Sequence, residues 1–170
     1  MSTLRLRPLR LDDEAAYRAA NVELAADGFR FGFIGDDEPF AEHVARLERQ
    51  RRGRDLGDFV EGTWLVADVG GELVGRVSIR HALNEYLAFH GGHIGYAVRP
   101  AHRRRGHARE MLRQSLVIAR SYGVERVLVT CDDDNIASAA VIESGGGVLE
   151  RVVPAAESDD GVAFRRYWID

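Results

Sequence analysis

The chain has 170 residues, 45% hydrophobic and 29% charged, a composition that supports a packed core rather than disorder. A formal net charge of −4 gives no basic footprint for nucleic acid, and one cysteine excludes an internal disulfide. No apolar run approaches the roughly 18 residues of a membrane span, and the N-terminal residues lack a signal-peptide core. The expectation is one cytoplasmic domain over residues 1–170, without nucleic-acid, membrane or metal partners.

Thr3 to Pro8 alternates Leu4 and Leu6 with Arg5 and Arg7, a half-buried strand. Asp12 and Asp13 then read as cap and first-turn acids of a helix, with Ala15, Ala19 and Val22 expected inward. Asp27 to Gly35 is aromatic but broken by three glycines. Its phenylalanines either plug the core or fold over a ligand. Phe40, Val44 and Leu47 mark a second helix, and Arg49 to Arg54 is its solvated basic end.

Thr63 to Val69 and Glu72 to Ile79 form a hairpin across Gly70-Gly71. In its second strand Leu73, Val77 and Ile79 are expected on one face, with Arg76, Ser78 and Arg80 on the other. His81 to His93 reads as an irregular connection holding three of the six histidines, the natural place to seek acid–base groups. Ile94, Tyr96 and Val98 then alternate as a central strand that Pro100 ends. Ala108, Met111, Leu112, Ser115, Leu116 and Ala119 define one face of a helix. Val124 to Cys131 is a strand, Asn135 to Ser144 a helix with Ala139 and Ile142 inward, and Val148 to Val153 a strand. Val162 to Ile169 closes the sheet. The order β-α-α-β-β-β-α-β-α-β-β is an α/β (α+β) mixed sheet of about seven strands with helices on both faces.

Between the central strand and the long helix lie Arg103, Arg104, Arg105 and Gly106. Such a loop turns several backbone N–H groups toward one point at a helix N-terminus, where the dipole also favours an anion. Gly106 lets backbone approach a ligand closely. The physical reading is a pyrophosphate cradle with surplus positive charge.

Arg103-x-x-Gly106-x-Ala108, set between a strand and a helix, resembles the signature of the GNAT (Gcn5-related) N-acetyltransferases. Cys131-Asp132-Asp133-Asp134-Asn135-Ile136-Ala137-Ser138 resembles a second segment of the same family, with Gly145-Gly146-Gly147 standing where Gly-Phe is usual. The wording from Ile79 to Tyr96 is similar to a bacterial branch of that family. The resemblance implies the GNAT acyl-CoA N-acyltransferase fold and acetyl-CoA as co-substrate. It assigns pyrophosphate binding to the N–H groups of Arg104, Arg105, Gly106, His107, Ala108 and Arg109, with the side-chain charges of Arg103, Arg104 and Arg105 adding attraction to the phosphates. It assigns pantetheine pairing to Tyr96, Ala97 and Val98, and further cofactor contacts to Asn135 and Ser138. A homodimer through terminal strands is a further possibility that relatives suggest.

Acetyl transfer from a thioester to an amine needs an anchored donor, a neutral amine, a stabilised oxyanion and a route for the thiolate. The sequence departs from the family at the proton donor, because Ile142 occupies the usual tyrosine position. Ser138 or water are substitutes, or the thiolate leaves unassisted, a thiol having a pKa near 8.5. Glu85 and His81 are the base candidates, beside His93, whose other reading is a hydrogen-bonded core histidine; Cys131 reads as a small core residue. The functional expectation is an N-acetyltransferase acting on the primary amine of a small molecule in preference to a protein N-terminus or lysine. A non-catalytic acyl-CoA-binding module is the third reading.

Overall fold

The computed structural model describes residues 3–170. β1 (Leu4–Arg7), β2 (Gly62–Val69), β3 (Glu72–Arg80) and β4 (Ile94–Val98) form a four-stranded antiparallel sheet in that order. β5 (Val127–Asp132), β6 (Val148–Val153) and β7 (Phe164–Ile169) form a second antiparallel sheet in which β7 lies between the other two. The last strand therefore fills the middle of its sheet.

The expected mixed α/β order is present, but the seven strands do not form one continuous ladder. The two sheets touch at a bridge between Gly92 and Val129. Here His93 N–H donates to the Leu128 carbonyl at 2.7 Å, and Leu128 N–H donates to His93 Nδ1 at 2.9 Å. An imidazole nitrogen thus replaces the backbone carbonyl that would continue the pairing. Beyond this pivot β4 pairs only with β3, and β5 only with β7. Gly92 is required at the pivot: its φ is +64°, and a Cβ would come within 2.4 Å of the Leu128 carbonyl oxygen.

α1 (Glu14–Ala25) and α2 (Phe40–Arg51) cover one face of the larger sheet, where Tyr17, Leu24, Phe31 and Phe40 pack with Val66 and Leu73. α4 (His107–Ser121) and α5 (Ile136–Ser144) cover the opposite face, packing Met111, Leu112 and Ile142 against Val77, Ile79 and Val129. The expected α4 stripe is the buried one, each large apolar side chain contributing about 1.5–3 kcal/mol.

Three expectations need correction. In α1 the inward residues are Tyr17, Ala20 and Leu24, while Ala15, Ala19 and Val22 are exposed. An alanine-rich helix offers two small faces, and the one carrying Tyr17 and Leu24 removes more apolar area from water. Leu73 packs toward α1, opposite Val77 and Ile79, because a bulge at Val74 reverses the alternation: Ala67 faces Gly75, whereas Asp68 faces Leu73. The connection after β3 holds a short helix, α3 (Glu85–Phe89), capped by Asn84 Oδ1 accepting from Leu87 N–H at 2.9 Å. Five residues are too few for a hydrophobic period to register.

Candidate active site

The loop before α4 is shaped by two residues in the left-handed region, Arg104 at φ 63° and Gly106 at φ 80°. Alternating backbone hands of this kind form an anion-accepting nest. No side chain caps α4. Among the described residues, the N–H groups of Arg104, Arg105 and Gly106 meet no protein acceptor. Together with the unsatisfied first turn of α4 they make a cluster of free donors at the positive end of a 15-residue helix. The side chain of Arg103 is occupied elsewhere, donating to Asp27 Oδ2 at 2.6 Å and the Val98 carbonyl at 3.1 Å. It braces the loop, while Arg104 and Arg105 extend into solvent.

The gap between β4 and β5 collects groups distant in sequence. Tyr96 Oη and Ser138 Oγ share a 2.8 Å hydrogen bond. Burial pushes the Tyr96 phenol up to about 12 despite that bond. Burial also raises the neighbouring Cys131 thiol to about 11, so it is protonated at neutral pH. Asn135 caps α5, its Oδ1 accepting from Ser138 N–H at 3.1 Å. Ile142 is fully buried in the core under α5.

On the α1–α2 face lies a partly enclosed cavity of about 240 Å³. Phe33, Phe59, Trp64 and Tyr86 supply aromatic walls, with Ser78, Arg80 and Asp58 among its polar groups. The glycine-interrupted aromatic loop divides its labour: Phe31 is fully buried in the core, whereas Phe33 lines the cavity. His43, from α2, forms part of the wall; burial, then the charge of Arg46, hold it down to about 4. Its Nδ1 accepts from Arg46 Nη2 at 2.9 Å, so this neutral ring is a poor base. Sequence periodicity could not single out His43, because its environment combines Tyr17 from α1 with Phe40 and Arg46 of its own helix.

The base candidates lie outside this cavity. His81 is buried on the α4 side: Nε2 meets Thr63 Oγ1 at 2.8 Å, Nδ1 meets Glu61 Oε1 at 3.0 Å, and the ring stacks on Tyr122 at 3.6 Å. Glu85 opens α3 and lines a separate shallow depression with Glu150 and Arg166, although Asn84 and Tyr86 on either side of it reach the cavity. His93 has its Nδ1 committed to Leu128, and burial lowers its pKa. Ser138 is the one acid–base candidate that the fold brings to the gap.

A nest at a helix start, a gap between diverging strands and a cavity on the adjoining sheet face define an acyl-CoA-dependent transferase. The profile of the acetyltransferase (GNAT) domain matches residues 3–148, so the chain belongs to the GNAT family, whose enzymes take their acetyl group from acetyl-CoA. The fold is shared with yncA of Salmonella typhimurium, described as a candidate acetyltransferase and solved with its cofactor acetyl-CoA. That comparison gives a TM-score of 0.68 at 18% identity, covering 98% of this chain and 93% of the other. RimL, a ribosomal L7/L12 α-N-protein acetyltransferase, gives 0.70 at 21% identity, covering 99% and 90%. Mycobacterium smegmatis RimJ in complex with CoA-disulfide gives 0.72 at 20% identity, covering 99% and 82%. Comparison with curated protein sequences finds no match.

Proposed function

We propose that this enzyme acetylates the primary amine of a small molecule by direct attack within a ternary complex. The observation that carries this reading is the 240 Å³ cavity, walled by aromatic side chains on the sheet face beside β4 and separate from the nest. Its size falls below the range that holds drug-sized ligands and suits a compact acceptor.

Bound acetyl-CoA supplies the activated acyl carbon and a thiol leaving group. The N–H groups of Arg104 to Arg109 hold its pyrophosphate in this reading, since free donors at a helix start match an anion. The unpaired edge of β4 at Tyr96 to Val98 offers backbone pairing to the pantetheine arm and an N–H to the thioester oxygen. Asn135 and Ser138 line the other side of the gap.

Tyr96 takes the part that Ile142 cannot. When Ser138 Oγ donates to Tyr96 Oη, the phenolic proton faces only the Ser138 carbonyl, a long contact of 3.3 Å, and can turn to a ligand in the gap. A thiol has a pKa near 8.5, so its thiolate leaves without full protonation and gains from one donated hydrogen bond. Asp58, the carboxylate at the cavity rim, offers uptake of the amine proton through water. Neither His81 nor Glu85 is given that role, because their side chains face other neighbours.

RimL is named as a protein acetyltransferase, which keeps a peptide acceptor as the second reading. Thiol release from acetyl-CoA, followed across small amines, amino acids, polyamines, aminoglycosides and short peptides, decides between them. Turnover of one small-amine class supports the proposal. Turnover of peptides alone rejects it, and tight acetyl-CoA binding with no turnover would instead mark a binding module.

A further inference from the structure

Among the described residues, β3 carries two arginines without counter-ions on its α1–α2 face: Arg80 lines the cavity, and Arg76 stands further along the strand, outside the cavity lining. Arg76, Ser78 and Arg80 alternate along this strand, and the register sets Arg76 opposite Ala97 and Ser78 opposite Gly95. Both guanidinium groups close on Gly95. A Cβ there would lie 3.5 Å from Arg76 Nη1, and 3.8 and 4.0 Å from Arg80 Nη1 and Nη2.

Only part of their donor capacity is used. Arg76 Nη2 donates to the Arg30 carbonyl at 2.9 Å, and Arg80 Nη1 donates to the carbonyls of Gly91 and Gly92 at 3.3 and 3.1 Å. Among the described residues, Arg76 Nη1 and Arg80 Nη2 have no protein acceptor, and Arg76 Nε is buried without one. Neither arginine forms an ion pair among the described residues, whereas the similarly recessed Arg7, Arg46, Arg99 and Arg166 each meet a carboxylate. Asp58, exposed at the rim of the cavity, pairs with neither. Burial, then the charge of Arg80, hold Arg76 down to about 10, and burial lowers Arg80 as well. Both stay charged at neutral pH, at a desolvation cost that an anion between them would offset.

We infer that Arg76 and Arg80 form the anion subsite of the acceptor pocket, so that the acceptor is a compact amine carrying a carboxylate or phosphonate group. The inference rests on reading the cavity as the acceptor site. Two guanidinium forks suit the bidentate geometry of such acids, and Ser78 between them adds a hydroxyl donor. The same pair repels polyamines and aminoglycosides, whose added positive charge would meet it.

The test uses matched acceptors: an amino acid, its amide, the amine lacking the acid group, and the corresponding aminophosphonate. Wild type is expected to favour an acid-bearing member by about 10- to 100-fold in kcat/KM, the range for hydrogen bonds to a charged group. The carboxylate and phosphonate arms tell which acid is recognised. Arg76→Gln and Arg80→Gln should remove the preference through KM while leaving acetyl-CoA affinity unchanged by calorimetry. Arg80→Lys, which keeps the charge, should retain part of it and guards against a variant that fails to fold. Equal use of acid and amide by wild type overturns the inference. Should acetyl-CoA bind while no amine is turned over, the small-amine reading fails separately. The subsite is then judged by inorganic phosphate and the same amino acids: a rise in melting temperature lost in Arg80→Gln and partly kept in Arg80→Lys supports it, and no rise overturns it.

Discussion

The loop from Arg103 to Arg109 is made from backbone in one unbroken stretch, whereas the cavity beside α2 takes its walls from five separate segments. The first presents N–H groups whose direction follows from the hand of a few residues. The second exists only after β2, β3, α2 and α3 have come together. A transferase can therefore keep one cofactor grip while its acceptor preference changes side chain by side chain. The Gly92–Val129 pivot is where the two sheets touch, so it fixes how they are joined.

Breaking that pivot should have the largest effect. Gly92→Ala adds a Cβ about to meet the Leu128 carbonyl at a positive φ, and both backbone segments would have to move. Denaturant unfolding should show a loss of about 3 kcal/mol or more. A loss under about 1 kcal/mol would mean that the half-sheets can part there freely. Gly106→Val probes the nest instead. A Cβ at Gly106 meets nothing within 4 Å, so the penalty is conformational, falling on a β-branched residue at φ 80°. Acetyl-CoA affinity should fall about 100-fold as several aligned donors are lost together. Unchanged calorimetric affinity would show that the nest does not carry the cofactor.

This contrast also sets what was legible in the sequence. The strand–loop–helix unit and its glycine are local, so residue order alone displayed them. The alternation of Arg76, Ser78 and Arg80 was visible too, but their convergence on Gly95 depends on the register with β4. Tyr96 and Ser138 are 42 positions apart, and His93 meets Leu128 across 35, distances over which no periodic pattern reports contact. The misread face of α1 has the same origin, since Ala15 and Ala19 look as apolar as Ala16 and Ala20 until Phe31 and Trp64 close around Tyr17.

The cavity wall gives a pH prediction with a definite sign. His43 has its folded pKa lowered from 6.5 to about 4, so the unfolded chain takes up a proton that the folded one refuses. Its contribution is complete above pH 6.5 and is lost as pH falls toward the folded value. Between about pH 6.5 and pH 5, stability should drop by on the order of 2 kcal/mol. His93, lowered in the same direction, adds to that drop. Below this window Glu38, held near 2 by Arg46, brings its own loss. In His43→Gln the slope within the window should shrink by about half or more. An unchanged slope would place the titration elsewhere.

Tyr96→Phe sharpens the division between grip and chemistry. It removes one hydroxyl from the gap and keeps the ring that packs on the core beneath α4. A single hydrogen bond to a departing thiolate corresponds to about a 10-fold fall in kcat, with the acetyl-CoA dissociation constant unchanged. A fall in affinity without a fall in kcat would reassign the hydroxyl to cofactor binding.

The smallest effect should come from Arg104→Ala and Arg105→Ala. Both side chains are exposed, and neither forms an ion pair among the described residues. Their attraction for a phosphate therefore acts through water and is screened by salt. Each substitution should weaken acetyl-CoA binding by about 3-fold at low ionic strength and by less as salt rises. Arg104 carries an additional consequence, because it sits at φ 63° without being glycine. Arg104→Gly should relax that conformation and restore part of the stability while losing the same charge. If Arg104→Gly and Arg104→Ala bind acetyl-CoA equally and with the same salt dependence, the arginine acts by charge alone and the nest is set by Gly106. If Arg104→Gly binds more weakly, the strained arginine is what holds the loop's N–H groups in line.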